Sequence, residues 1–173
     1  EEAGTPLSTS ETPPDSIKQR VERKIEALNE MRESLAATID TPAVDKATFK
    51  RVCKPVGRRA KAVAKENGWT IQQLAQKYRN PAHDLDEEAQ RLYDQFAASP
   101  EQTDTWIRTV RHETSGWRYA RRITVQQSCT ACHGPKEKRP DFVKKGYPDD
   151  RAHGFEPGDL RGIYAVFVPD PSN

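Results

Sequence analysis

Residues 117–133 read Trp117-Arg118-Tyr119-Ala120-Arg121-Arg122-Ile123-Thr124-Val125-Gln126-Gln127-Ser128-Cys129-Thr130-Ala131-Cys132-His133. In the first nine, Trp117, Tyr119, Arg121, Ile123 and Val125 fall on one side of a period-2 pattern, which predicts a strand. The strand runs into Cys129-x-x-Cys132-His133, the spacing of covalent haem attachment. Two thiols three positions apart reach the two vinyl groups of one haem. The next residue, His133, then lies under the iron and supplies a neutral imidazole nitrogen as proximal ligand. One covalent haem c is therefore expected, on a loop that leaves a sheet.

Other uses of two close cysteines fit less well. A redox C-x-x-C belongs near a βαβ pattern and has no need of the following His. A zinc site takes four ligands, usually as two separated pairs. The chain has three cysteines, so a Cys129–Cys132 disulfide would close a very short loop and leave Cys53 unpaired.

On the C-terminal side, the haem loop is expected to extend to about Asp159. Leu160, Gly162, Tyr164, Val166 and Val168 then alternate against Arg161, Ile163, Ala165 and Phe167 as a last strand. On the N-terminal side, 105–113 is a candidate strand with Trp106 and Val110 on one face, and Ser115-Gly116 is a turn signal. Asp84 is expected to cap a helix with Leu85, Ala89, Leu92 and Phe96 inward. Residues 69–79 fit either a helix or a strand.

Two helices are expected before that. Asp15 and Ser16 are cap residues for a helix with Ile17, Val21, Ile25, Leu28 and Leu35 in its stripe, ending near Ile39. A second begins near Asp45, carries Phe49, Val52, Val56, Ala60 and Val63, and closes at Asn67-Gly68. Pro55 should kink or break it one turn after Cys53. Residues 1–14, with Pro6, Pro13 and Pro14, read as a disordered lead-in, and 15–173 as one domain. The fold class is α+β: an N-terminal helix hairpin packed with an antiparallel sheet.

With 34% apolar and 31% charged residues, the core should be modest, and the haem should supply part of it. The net charge of +2, with both signs mixed, gives no support for nucleic-acid binding. No run approaches the roughly 20 apolar residues of a bilayer span. The polar start at Glu1 reads as a mature or trimmed chain. Thioether attachment of haem normally takes place outside the bacterial cytoplasm, so a periplasmic location is expected.

The stretch from Cys129 to Val168 resembles, as a whole, a bacterial family of single-haem c-type domains with a PAS-like fold. The residues are Cys129-x-x-Cys132-His133-Gly134, then Gly146-Tyr147-Pro148-Asp149-Asp150, then Gly154-Phe155-x-x-Gly158-Asp159-Leu160-Arg161-Gly162. Arg79-Asn80-Pro81-Ala82 and the lone helical Cys53 extend the match to about residues 17–168. Arg122, where Pro is common, and His153, where a small or polar residue is more usual, depart from it. Members occur as stand-alone secreted proteins and as periplasmic sensor modules. The resemblance implies an axial pair of His133 and Cys53, and a strand within 69–79.

The residues themselves leave the sixth ligand open among Cys53, Met31, His83, His112 and His153. A methionine off the helical stripe ordinarily fills core gaps. A helical cysteine is ordinarily a small buried apolar side chain. Cys53, however, would be a spare thiol in an oxidising compartment and is flanked by Arg51 and Lys54, which favour thiolate. Arg79, Arg122 and Tyr119, in segments framing the haem loop, are the candidates for holding the haem propionates. The expected function is a redox or small-gas (NO or CO) haem sensor that needs a redox or signalling protein partner. The alternative is a low-potential electron-transfer cytochrome, and enzymatic activity is not expected.

Overall fold

The computed structural model describes residues 12–39 and 45–171. Almost all of the expected lead-in, and the Asp40-Thr41-Pro42 link between the first two helices, lie outside them. Helix α1 spans Asp15–Ala36 and buries Val21, Ile25 and Leu28. Its N-cap is Pro14, with no side-chain cap. Asp15 thus starts the helix instead of capping it, and serves the exposed amides by its charge.

Asp45 caps α2 (Lys46–Val52), its carboxylate accepting from the Thr48 N–H at 2.9 Å. The helix stops at Cys53, and α3 (Lys54–Asn67) starts there with Pro55 in its first turn. The break falls at Cys53 itself, not one turn after it. Proline has no N–H and crowds the carbonyl four residues back, so the interruption lies on its N-terminal side. Gly68 closes α3 at φ 70°, in the left-handed region.

Strand β1 covers Thr70–Leu74, which resolves the ambiguity of 69–79. Helix α4 (Glu87–Ala98) is capped by Asp86, whose carboxylate accepts from the Ala89 N–H at 2.9 Å. Asp84, the expected cap, instead accepts from its neighbour Leu85 N–H. Strand β2 covers Asp104–Arg111 and β3 covers Thr114–Thr124. They are joined through His112 and Glu113, at φ 49° and 66°. Two consecutive positive φ values make the tight hairpin turn that suits strand twist. Ser115-Gly116, the expected turn, lies inside β3. A Cβ on Gly116 would run into the Val168 carbonyl and the Phe167 ring.

Strand β4 covers Leu160–Pro169, and the sheet is antiparallel in the order β1-β4-β3-β2. Helices α1 and α3 cover one face, packing Val21, Ile25, Ala60 and Val63 on Tyr119, Ile123, Tyr164 and Val166. Helix α4 covers the other, packing Leu92 and Phe96 on Leu74, Ala120, Ile163 and Ala165. One register shift separates Ile123, opposite Gly162, from Thr124, opposite Leu160. Arg161 is therefore the extra residue of a bulge. The alternation expected along β4 breaks there, and Leu160 packs with Ile163 and Ala165, not with Tyr164.

Candidate haem site

Between β3 and β4 runs the loop that carries Cys129, Cys132 and His133. It folds into α5 (Thr130–His133) and α6 (Asp141–Gly146). Gly134 ends α5, where a Cβ would meet the Thr130 carbonyl oxygen. The Gly154 N–H donates to Gly134 O at 2.6 Å and the Phe155 N–H to His133 O at 2.9 Å. These bonds pin the motif against the segment leading into β4. Val125, Ala152 and Phe155 form a small core beneath it, with Cys129 at its edge.

His133 and Cys53 border one cavity of about 720 Å³, within the usual range for small-molecule sites. Ile71, Leu74, Ile123, Phe49 and Tyr147 supply apolar walls. The floor is the end of the sheet where β1 approaches β4. Gly162 makes that approach possible, since a Cβ there would run into the Leu74 carbonyl. Phe49 packs on Phe142 and Tyr147, with ring centroids 5.6 and 6.4 Å away, which ties α2 and Cys53 to the haem loop. A smaller open depression of about 340 Å³ lies by the N-terminus of α4, with His112 in its wall. It holds no cysteine.

His133 is the candidate proximal ligand. Its Nδ1 lies 2.9 Å from the Ala152 carbonyl oxygen, which can only accept. Arg79 Nη2, which can only donate, lies 3.3 Å from the same nitrogen. The shorter contact favours a proton on Nδ1, which leaves Nε2 bare. Burial, then Arg161 and Arg79, hold the imidazole well below its usual pKa, so it is neutral. The Phe155 ring sets it edge-on at 6.2 Å.

Arg79 is buried beneath the loop. Its guanidinium donates to Cys132 O at 2.8 Å and to Asp150 at 3.4 Å. Asp150 also accepts from Arg139 at 2.9 Å and from the Ala152 N–H at 2.9 Å. Burial pushes the Asp150 carboxyl up, but Arg139, the Ala152 amide and Arg79 together hold it below the usual range. This buried Arg79–Asp150–Arg139 cluster braces the carbonyl that orients His133.

Of the other expected site residues, Tyr119 and Arg122 do not line the cavity. Tyr119 donates to Asp104 at 2.8 Å, on the far side of β3. Arg122 donates to the carbonyls of Gln102 (2.8 Å), Ser99 (3.1 Å) and Phe96 (2.5 Å), closing the C-terminal end of α4. Met31, His112 and His153 do not line the cavity, while His83 sits exposed at its rim.

Cys53, Cys129 and Cys132 form no disulfide. Burial pushes the Cys53 thiol up, and Arg32, Arg79 and Arg161 oppose it. The flanking Arg51 and Lys54, expected to favour thiolate, are exposed and are not the cations that act on it. The raised pKa keeps the unligated thiol protonated at neutral pH. Among the described residues, no cluster of three or more His, Cys, Asp or Glu could hold a bare metal ion. Together, the apolar walls, the neutral imidazole, the thiol and the surrounding cations fit a porphyrin with carboxylate arms. Sequence reasoning passed over Arg161 and Arg32. A charged residue in a strand otherwise made of Ile163, Ala165 and Phe167 was the available signal for Arg161.

The family model named Tll0287-like matches residues 11–169. Among solved structures, the crystal structure of the cyanobacterial heme-protein Tll0287 is similar over the whole domain, with a TM-score of 0.81 and 41% identity. The match covers 93% of this chain and 99% of that one. No curated protein matches the chain.

Proposed function

The chain belongs to the Tll0287-like family, and on that premise we propose that it is a single-haem c-type protein acting as a redox or gas sensor outside the cytoplasm. Its similarity to a cyanobacterial haem protein supports haem binding. Cys129 and Cys132 would hold the group covalently, and His133 and Cys53 would be its axial pair. The carrying observation is that Cys53 and a carbonyl-held His133 border the same cavity. Bound haem supplies a one-electron couple and, where an axial position opens, a site for NO or CO.

The residues divide the work. His133 is held by Ala152 and by the cluster beneath it, so that ligand is rigid. Cys53 sits between two helices, at the one backbone joint that Pro55 imposes, so that ligand is the movable one. An anionic sulfur donor favours the oxidised state, which sets a low potential. Loss of that donor on reduction would free α2, which Phe49 connects to the loop helix α6. That coupling is the sensor part of the reading, and a PAS-like reading of the α/sheet/α arrangement accords with it.

A second reading, a low-potential electron carrier, is favoured by one observation. Lys54, Arg58 and Lys61 stand exposed around the cavity mouth, where an acidic redox partner would dock. Neither reading assigns the chain a catalytic step. Among the described residues no helix is long and apolar enough to cross a membrane.

The test is a redox titration followed by optical and EPR spectra, with CO and NO added to the reduced protein. One covalent haem per chain and ferric thiolate features that vanish in Cys53→Ala are expected. A sensor binds CO once reduced, and Cys53→Ala binds it faster. Haem extractable by acid-acetone overturns the covalent assignment. A ferrous protein that ignores both gases shifts the reading to the carrier.

A further inference from the structure

Arg161 and Arg32 differ from the other interior arginines. Arg79 and Arg139 pair with Asp150, Arg118 with Asp86 and Glu88, and Arg121 with Glu26. Arg122 is taken up by three carbonyls. Among the described residues no carboxylate pairs with Arg161 or Arg32, yet both line the cavity. The carboxylate that acts on Arg161 is Asp150, already held by two other arginines.

Both side chains are nevertheless positioned. Arg161 is the extra residue of the β4 bulge, a device that re-aims a side chain. Its guanidinium donates to the Lys77 carbonyl at 3.2 Å and lies 5.4 Å from the Phe155 ring centroid. On α1, the Nε of Arg32 donates to the buried Tyr164 hydroxyl at 2.8 Å, with the guanidinium 5.4 Å from that ring. Each contact uses only part of a five-donor fork. Burial, then the charges of Arg32 and Arg79, pull Arg161 down to about 10. A half-buried cation surrounded by like charges is costly unless an anion joins it. Lys54, Arg58 and Lys61 at the mouth have water and no such need.

We propose that Arg161 and Arg32 form the seat for the two propionate carboxylates of the bound haem. This rests on the haem reading above and replaces Arg122 and Tyr119 in that role. Two planar forks match two carboxylates, and each pairing can be bidentate. The same two cations stand near Cys53 and His133, since both act on the thiol and on the imidazole. They therefore also offset the negative charge that a thiolate brings to the site.

The test uses the holoprotein and the variants Arg161→Gln, Arg32→Gln, their double, and Arg161→Lys. An Arg58→Gln/Lys61→Gln double serves as the mouth control. A pyridine haemochrome assay comes first. A wild type without covalent haem overturns the underlying reading and this one with it. With haem present, resonance Raman propionate-bending bands should shift in each Gln variant and shift further in the double. The reduction potential should fall in the same order. Arg161→Lys should restore the potential in part but not the band, because a lysine keeps the charge and loses the fork. The mouth control should change neither. Bands unchanged in the single variants, or moved instead by the mouth control, overturn the inference while leaving the haem reading intact. Should the double variant fail to fold, the singles decide.

Discussion

Arg118 on β3 and Arg161 on β4 sit on neighbouring strands and meet opposite surroundings. Arg118 is 1% exposed and is gripped by Asp86 at 2.8 and 2.9 Å and by Glu88 at 2.9 Å. Burial pulls its pKa down, but those carboxylates more than reverse this and raise it. Arg161 has burial without the carboxylates, and its pKa falls. The α4 side of the sheet is thus electrostatically complete as folded. The end where β1, β4 and the haem loop meet holds more positive than negative charge. Changes on the first side should therefore appear in stability, and changes at the second in the spectrum of the bound haem.

The largest effect expected is from Arg118→Met. It strands Asp86 and Glu88, and breaking a buried pair costs about 3–5 kcal/mol. The lower end applies, because the Asp86 side chain is 38% exposed and water recovers part of the loss. Urea unfolding should show a loss of about 3 kcal/mol, while the ferric spectrum per haem stays unchanged. A spectral change in this variant would break the division between the two sides.

Gly162→Ala tests the wall the two regions share. The new methyl meets the Leu74 carbonyl, a backbone atom that cannot swing aside, and overpacking of this kind costs about 1–3 kcal/mol. Here both readouts should move, since β1 is displaced from the cavity floor. Loss of stability with an unaltered spectrum would mean that the floor of the cavity does not touch the haem.

Acid tests the α4 side through Asp86. Hydrogen bonding to Arg118, resisted by burial and aided by the Ala89 N–H, holds the Asp86 carboxyl below its usual range. A carboxylate depressed on folding stabilises fully above its unfolded value of about 3.9. The contribution is lost as pH falls through the lower folded value. In wild type the unfolding free energy should decline below about pH 4, and Asp86→Asn should flatten that limb. An identical acid limb in the variant would show that other carboxylates carry it.

What could be read in advance follows the range of each interaction. The α3 stop at Gly68, the strand 117–124 and the helical stripes are local patterns, and they stand as expected. The hairpin turn has no sequence mark because its positive-φ positions are His112 and Glu113, neither a glycine, while Gly116 serves a different need, the passage of Phe167. Period-2 reading assumes an unbroken ladder, so it could not see the bulge that sets Arg161 apart. Arg79, Arg122 and Tyr119 lie in segments expected to frame the loop, and that expectation says nothing of their contacts. Their partners, Asp150, the end of α4 and Asp104, are long-range facts. Arg32 lies 129 positions from Arg161 in the chain, and nothing in the sequence pairs them.

The smallest effect on stability belongs to Pro55→Ala, and it bears on the cavity side alone. Pro55 lies in the first turn of α3, where proline is well tolerated, so its loss changes the unfolding free energy by about 1 kcal/mol or less. Its structural consequence is larger. Alanine restores an N–H and removes the clash with the carbonyl four residues back, so α2 and α3 can run on as one helix through Cys53. Cys53 would then turn with the continuous helix instead of resting at a joint. The ferric thiolate features should weaken or become heterogeneous in EPR, and CO binding to the reduced protein should quicken. If stability and spectrum both stay as in wild type, proline is not what holds the joint. The packing of Phe49 on Phe142 and Tyr147 would then be its cause, and Phe49→Ala should produce the spectral change that Pro55→Ala did not.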